Sequence, residues 1–172
     1  MSEQLKKYIR SIPDFPKQGI LFRDITTLLK NKAAFKKSID DLAKIVKGKK
    51  IDCVVAVESR GFIFGAALAY KLGAGFIPVR KKGKLPAETI SADYALEYGT
   101  DSLFMHKDAL QPGSKVLIVD DLLATGGTAA AVCQMIGQLK AKISGIIFLI
   151  ELCDLKGRDK LKNYPVYSLI RY

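Results

Sequence analysis

Four short runs of the chain are apolar at nearly every position: Cys53–Val57 (CVVAV), Phe76–Val79 (FIPV), Val116–Val119 (VLIV) and Ile146–Leu152 (IIFLIEL). None alternates with polar residues, as a strand with one wet face would. Continuous apolar runs predict strands covered on both faces, as in a parallel sheet. Helical patterns lie between them. Phe35, Ile39, Leu42 and Val46 share one helical face, with lysines and aspartates opposite. Phe62 to Leu72 is apolar almost all round and stops at Gly73, a residue suited to the position after a helix. Thr128 to Leu139 carries Ala129, Val132, Cys133 and Ile136 on one stripe, with Thr128 or a neighbour as its cap. Strand and helix alternate, which predicts an α/β domain with a mainly parallel central sheet and helices on both faces.

Two segments break the alternation. Residues 1–29 contain Pro13, Pro16 and Gly19 and read as a helix followed by an irregular arm. Residues 83–103 are polar, with Gly83, Pro86 and Gly99, and read as a long loop. A loop of that length inside a compact domain is usually functional or disordered. The expected organisation is one domain over residues 1–172, with an arm at 1–29 and a flexible lid at 83–103.

The length of 172 residues suits one domain and buries enough surface to fold without disulfide or metal. Lysine and arginine number 28 against 17 acids, a net charge of +11, which favours an anionic partner: nucleic acid, membrane surface or phosphorylated small molecule. Cys53, Cys133 and Cys153 are odd in number, widely spaced and set among apolar residues. They read as core fillers in a reducing cytosol rather than as zinc ligands, and no metal ligands are expected. Residues 1–19 hold no apolar stretch of signal-peptide length, and no run is long enough to span a bilayer, so a cytoplasmic protein without membrane contact is expected.

The chemistry concentrates in Val116–Thr128, VLIVDDLLATGGT. A buried strand ends in adjacent carboxylates, Asp120 and Asp121. The turn Ala124-Thr125-Gly126-Gly127-Thr128 then leads into a helix. Ligands of open parallel sheets bind beyond the carboxyl ends of the strands. Glycines there let successive N–H groups converge on one phosphate, and the helix N-terminus adds partial positive charge. The two aspartates would repel a phosphate, so they must face donating hydroxyls, a cation or developing positive charge. A ribose 5-phosphate satisfies both halves of the string. The string is neither a Walker loop, which needs GK[ST], nor a GxGxxG dinucleotide fingerprint.

VLIVDDLLATGGT resembles the ribose-phosphate motif of type I phosphoribosyltransferases. Five further blocks in order narrow the resemblance to the adenine phosphoribosyltransferases: FPKQGILFRDIT (15–26), ESRGFIFG (58–65), PVRKKGKLP (78–86), LEYG (96–99) and IELCDLKGR (150–158). The likeness runs from about residue 8 to the C-terminus. It implies a Rossmann-like α/β fold and the reaction of adenine with phosphoribosyl pyrophosphate to give AMP and pyrophosphate, a step of purine salvage. It also implies Mg²⁺ carried mainly by the donor, and a homodimer.

Residue by residue, the resemblance places ribose phosphate on Asp120, Asp121, Ala124, Thr125, Gly126, Gly127 and Thr128. It places pyrophosphate on Ser59, Arg60, Arg80, Lys81 and Lys84, some of them across a dimer interface, and implies a cis bond at Glu58-Ser59. Adenine falls to Leu21, Phe22 and Arg23, with the Phe22 ring on the purine and main-chain groups reading its edge, and Leu152 closing the other face. Glu97 is implied as the acid/base for the purine proton, with Tyr98 near the reacting centre, both on a lid that excludes water. The lone histidine, His106, follows a strand-like LFM and is read as structural. Gln18 and Thr27 stand where many relatives have proline, which predicts a looser arm. Two other readings are a sensor of the donor that binds nucleic acid, and a transferase for another base. No DNA-binding addition is visible and FRDIT favours adenine, so nucleic acid is not expected.

Overall fold

The computed structural model describes residues 3–95 and 100–172. A 3₁₀ turn at Glu3–Tyr8 leads into an antiparallel ribbon of β1 (Arg10–Ile12) and β2 (Phe22–Asp24), and then α1 (Thr26–Leu29). The expected opening helix is therefore a 3₁₀ turn, and the expected irregular arm is partly a ribbon. The Asp24 carboxylate fixes this entry. It accepts from Arg10 Nε at 3.0 Å and from the Thr26 N–H at 2.9 Å. The Thr26 N–H and the Arg10 guanidinium hold the Asp24 carboxyl down at about 2. Thr27, expected to loosen the arm, donates its hydroxyl to Tyr8 O at 2.6 Å and ties the arm instead.

The body follows as α2 (Lys32–Ile45), β3 (Cys53–Val57), α3 (Arg60–Leu72), β4 (Gly75–Lys81), β5 (Thr89–Ala95), β6 (Thr100–His106), β7 (Lys115–Leu123), α4 (Gly127–Gln138), β8 (Lys142–Glu151) and β9 (Val166–Arg171). One seven-stranded sheet has the order β5-β6-β4-β3-β7-β8-β9. The five strands β4, β3, β7, β8 and β9 are parallel, and β5 and β6 add an antiparallel edge.

Both faces of the parallel strands are covered. Val54, Leu117, Val119, Ile147 and Leu149 pack with Leu42 of α2, Phe64 and Leu68 of α3, and Leu5 and Leu28 of the arm. Their neighbours Val55, Val116, Ile118, Ile146 and Phe148 point the other way, onto Val132 and Ile136 of α4 and Leu103 and Met105 of β6. That two-sided burial is why the strands read as unbroken apolar runs. Gly73, in the left-handed region at φ 64°, ends α3 as the pattern predicts. The residue preceding α4 is Gly126, not Thr128.

The 83–103 segment differs from a long loop. Residues 89–95 pair antiparallel with 100–106 over seven rungs, from Thr89↔His106 to Ala95↔Thr100. The buried Ala92, Leu103 and Met105 dock this hairpin on the α4 face. No helix of the described residues is long and apolar enough to cross a membrane.

Candidate active site

The sheet order places a topological switch point between β3 and β7: the chain winds one way from β3 to β4 and the other way from β7 to β8 and β9. Ligands of such sheets lie in the crevice opened there, beyond the carboxyl ends of the strands. The β3–β7 ladder stops at Ala56↔Val119, while β7 stays paired with β8 as far as Leu123↔Glu151. Asp120 and Asp121 therefore sit within β7, just past the point where its β3 partner has turned away into α3.

Three elements converge on that point. A side-chain carbon at Gly61, in the first turn of α3, would come within 2.6 Å of Asp120 Oδ1, so only glycine admits the carboxylate there. Asp120 Oδ1 accepts from the Asp121 N–H at 2.9 Å. Arg60 Nη2 lies 2.7 Å from Asp121 Oδ2, an ion-pair contact without hydrogen-bond alignment. Burial and the charge of Asp121 push the Asp120 carboxyl well above its usual range, and burial raises Asp121 despite Arg60. A buried acid and a half-buried one thus share one cation. The pair gains from ligand hydroxyls that donate to it, or from positive charge developing beside it.

The turn after β7 forms a hollow of about 70 Å³ lined by Asp120, Thr125, Gly126, Gly127, Thr128 and Phe148, among others. A water needs roughly 10–15 Å³ on this measure, so a phosphate group fits and a purine does not. Gly126 takes φ 79°, and no side chain caps the first turn of α4, leaving its N–H groups for an anion. Gly157 braces the turn from behind. A side-chain carbon on Gly126 would meet Gly157 O at 2.3 Å, and one on Gly157 would meet Ala124 O at 2.2 Å. Arg158 locks this brace by donating from Nε and Nη2 to the buried Glu151 at 2.6 and 2.7 Å and from Nη1 to Val166 O.

The basic residues gather at the same sheet edge. The Glu58-Ser59 bond is cis, and Ser59 is exposed, with its hydroxyl unused as a cap for α3. Arg80 is held between Glu58 Oε2 at 2.9 Å and Lys84 O at 3.0 Å. Burial opposes ionisation of Glu58, but the Lys81 N–H and Arg80 overcome it and hold its carboxyl below the usual range. Lys81 Nζ pairs with Asp101 at 3.0 Å, and that contact raises the lysine. Lys84 is exposed in the turn that follows.

The arm brings Phe22 to this edge, where the Arg60 guanidinium lies 5.2 Å from the ring centre and Phe15 packs edge-on at 5.0 Å. Leu21 beside it is 47% exposed. The Arg23 side chain turns away, stacking on Tyr172 at 3.7 Å and donating to Ser11. Leu152 follows β8 and donates its N–H to Leu123 O, on the flank of the phosphate turn. Glu97 and Tyr98 lie outside the described residues. His106 ends β6 with its Nε2 buried and unpartnered, away from the carboxyl edge.

A phosphoribosyl transferase domain model matches residues 24–171. Adenine phosphoribosyltransferase of Brachyspira hyodysenteriae is 62% identical, over 98% of this chain and 99% of its own. The chain belongs to the adenine phosphoribosyltransferase family. The crystal structure of the Thermoanaerobacter pseudethanolicus family member superposes with a TM-score of 0.97 at 58% identity, covering 99% of both chains. The Saccharomyces cerevisiae member, solved with an imino-altritol bisphosphate and adenine, matches with a TM-score of 0.91 at 47% identity over 96% of each chain. Family membership accounts for the α/β fold and the pentosyl-transfer chemistry. The Gly157 brace escapes a reading of the sequence because it joins the 124–126 turn to a segment about 30 residues on, and the Glu151–Arg158 lock matters only once that brace is formed. The glycine in IELCDLKGR is the one local sign of it.

Proposed function

We infer that this chain transfers the 5-phosphoribosyl group of phosphoribosyl pyrophosphate to adenine, giving AMP and pyrophosphate. The observation that carries the placement of substrate is the glycine turn 124–128 set beside two adjacent acids at the switch point. The 5′-phosphate occupies the turn, on the N–H groups of α4 and the Thr125 and Thr128 hydroxyls. The ribose 2′- and 3′-hydroxyls donate to Asp120 and Asp121. Their shared negative charge also favours the cationic ribose ring that develops as the anomeric C–O bond breaks. The electron pair of that bond leaves on pyrophosphate, which Ser59, Arg60, Arg80, Lys81 and Lys84 receive. Adenine N9 bonds the anomeric carbon and loses its proton. Glu97 takes that proton in this reading, with Tyr98 beside it, a role that rests on their match to the family's LEYG block. Phe22, the main chain at Leu21 and Arg23, and Leu152 hold the base.

Among the described residues no three His, Cys, Asp or Glu side chains converge as a metal cage. Two acids, one already against Arg60, fit Mg²⁺ arriving on the donor's own oxygens. There it would neutralise charge on the departing pyrophosphate. A homodimer is supported by α3, whose outer stripe of Ile63, Ala66 and Tyr70 is apolar and exposed, Tyr70 being 92% exposed. A cytoplasmic location is supported by three unpaired cysteines.

Incubation with adenine, phosphoribosyl pyrophosphate and Mg²⁺ is expected to release AMP and pyrophosphate. Product with guanine or hypoxanthine in place of adenine would overturn the base assignment. Binding of the donor with no turnover on any base would overturn the enzymatic reading. Asp121→Ala and Gly127→Val are each expected to abolish turnover while the chain stays folded.

A further inference from the structure

Lys81, one of the basic residues of the donor site, is held by a pair of residues on the neighbouring hairpin. Tyr94 and Asp101 face each other across β5 and β6, one rung below Ala95↔Thr100, where the hairpin's register ends. The Tyr94 hydroxyl donates to Asp101 Oδ2 at 3.1 Å. Lys81 Nζ reaches the same oxygen at 3.0 Å, and the Ser102 N–H holds the other at 2.8 Å. β5 itself packs against α4, whose first turn carries Thr128. A chain of polar contacts therefore runs from Tyr94 through Asp101 to Lys81 at the end of β4.

We propose that Tyr94 and Asp101 are positioning residues for the phosphoribosyl donor, aiming Lys81 at its pyrophosphate end. The inference rests on the donor placement proposed above. Lysine has three donor protons on a flexible stem. One spent on Asp101 sets the direction of the stem and leaves two for pyrophosphate. Lys81 and the Ser102 N–H keep the Asp101 carboxyl ionised, and burial together with Asp101 keeps the Tyr94 phenol protonated, so each group is in the state the chain of contacts needs. The hairpin itself does not depend on this chain, because Ala92, Leu103 and Met105 anchor it in the core.

The test measures the dissociation constant of the Mg²⁺ complex of phosphoribosyl pyrophosphate by calorimetry, and the adenine and donor KM values, in the wild type, Tyr94→Phe, Asp101→Asn and the double variant. Loss of a hydrogen bond to a charged group predicts donor binding weakened about tenfold in each single variant, with adenine KM unchanged. The double variant should lose little more than the worse single one, because both interrupt one chain of contacts. Thermal melts confirm that each variant is folded. Wild-type donor affinity in folded Tyr94→Phe, equal rises in both KM values, or fully additive losses would each overturn the proposal. Wild-type turnover with an unaffected Tyr94→Phe sinks this inference alone. Weakened donor binding in a chain that turns over no base sinks the enzymatic reading alone. A wild type that does not bind the donor sinks both.

Discussion

Replacing Gly157 by alanine perturbs the phosphate turn from behind, without replacing a residue that meets substrate. The added carbon would stand 2.2 Å from Ala124 O, 2.8 Å from Leu123 Cδ1 and 3.1 Å from Gly126 N, whereas real contacts of this kind almost never fall below 3.0 Å. Two of the three neighbours are main chain, and Arg158 holds the brace in place through the buried Glu151, so the brace cannot simply retreat. The turn must therefore move by about 1 Å, and a misplacement of that size costs roughly 10²-fold in rate. Overpacking of this kind costs about 1–3 kcal/mol of stability, which lowers Tm by roughly 2–12 °C for a chain of this size. Steady-state kinetics well below the variant's Tm separate the two effects. The loss should fall on kcat/KM for the donor, with adenine affinity retained. A Gly157→Ala enzyme within threefold of wild type would refute the bracing role.

Asp120→Asn should raise Tm at neutral pH while lowering activity about 10–100-fold, since it relieves the repulsion of two adjacent, poorly solvated carboxylates yet weakens the grip on the ribose hydroxyls. The sign follows from linkage: a carboxyl raised in the folded state makes the folded chain the stronger proton binder, so the wild type loses stability as pH rises above 3.8, and the variant loses less of it. A lower Tm in the variant would contradict this. Asp24 behaves oppositely. Its carboxyl, held at about 2 against 3.8, stabilises the arm fully above pH 4, and that contribution disappears as pH falls towards 2. Acid melts of Asp24→Asn should be flatter than wild type over that range. Phe22→Ala should raise adenine KM about tenfold through loss of ring packing while leaving donor binding unchanged, which initial rates at saturating donor can check.

The parallel core was legible because burial on both faces leaves unbroken apolar runs. Cys53–Val57 occupies the same span in pattern and structure. Pattern reading ended the third strand at Val119, where the charged pair begins, although the backbone stays extended to Leu123. The β5–β6 hairpin was obscured for the opposite reason. Its buried positions are Ala92, small and set between Ser91 and Asp93, and Leu103 and Met105, which flank the half-buried Phe104, so the period-two signal is faint beside Gly83, Pro86 and Gly99. The β1–β2 ribbon has three residues per strand, too few for any periodicity. In the site, residues 120–128 stood out because the acids, glycines and threonines lie on one contiguous string. The pairing of Arg60 with Asp121, the brace at Gly157 and the contacts from Tyr94 through Asp101 to Lys81 arise only when the fold brings separate strand ends together.

The most direct test of the account is a crystal structure of the protein with AMP bound. The phosphoryl oxygens should lie within hydrogen-bonding distance of the main-chain N–H groups of the 124–128 turn, with the ribose hydroxyls on Asp120 and Asp121. A nucleotide whose phosphate sits elsewhere, with solvent in that turn, would contradict it.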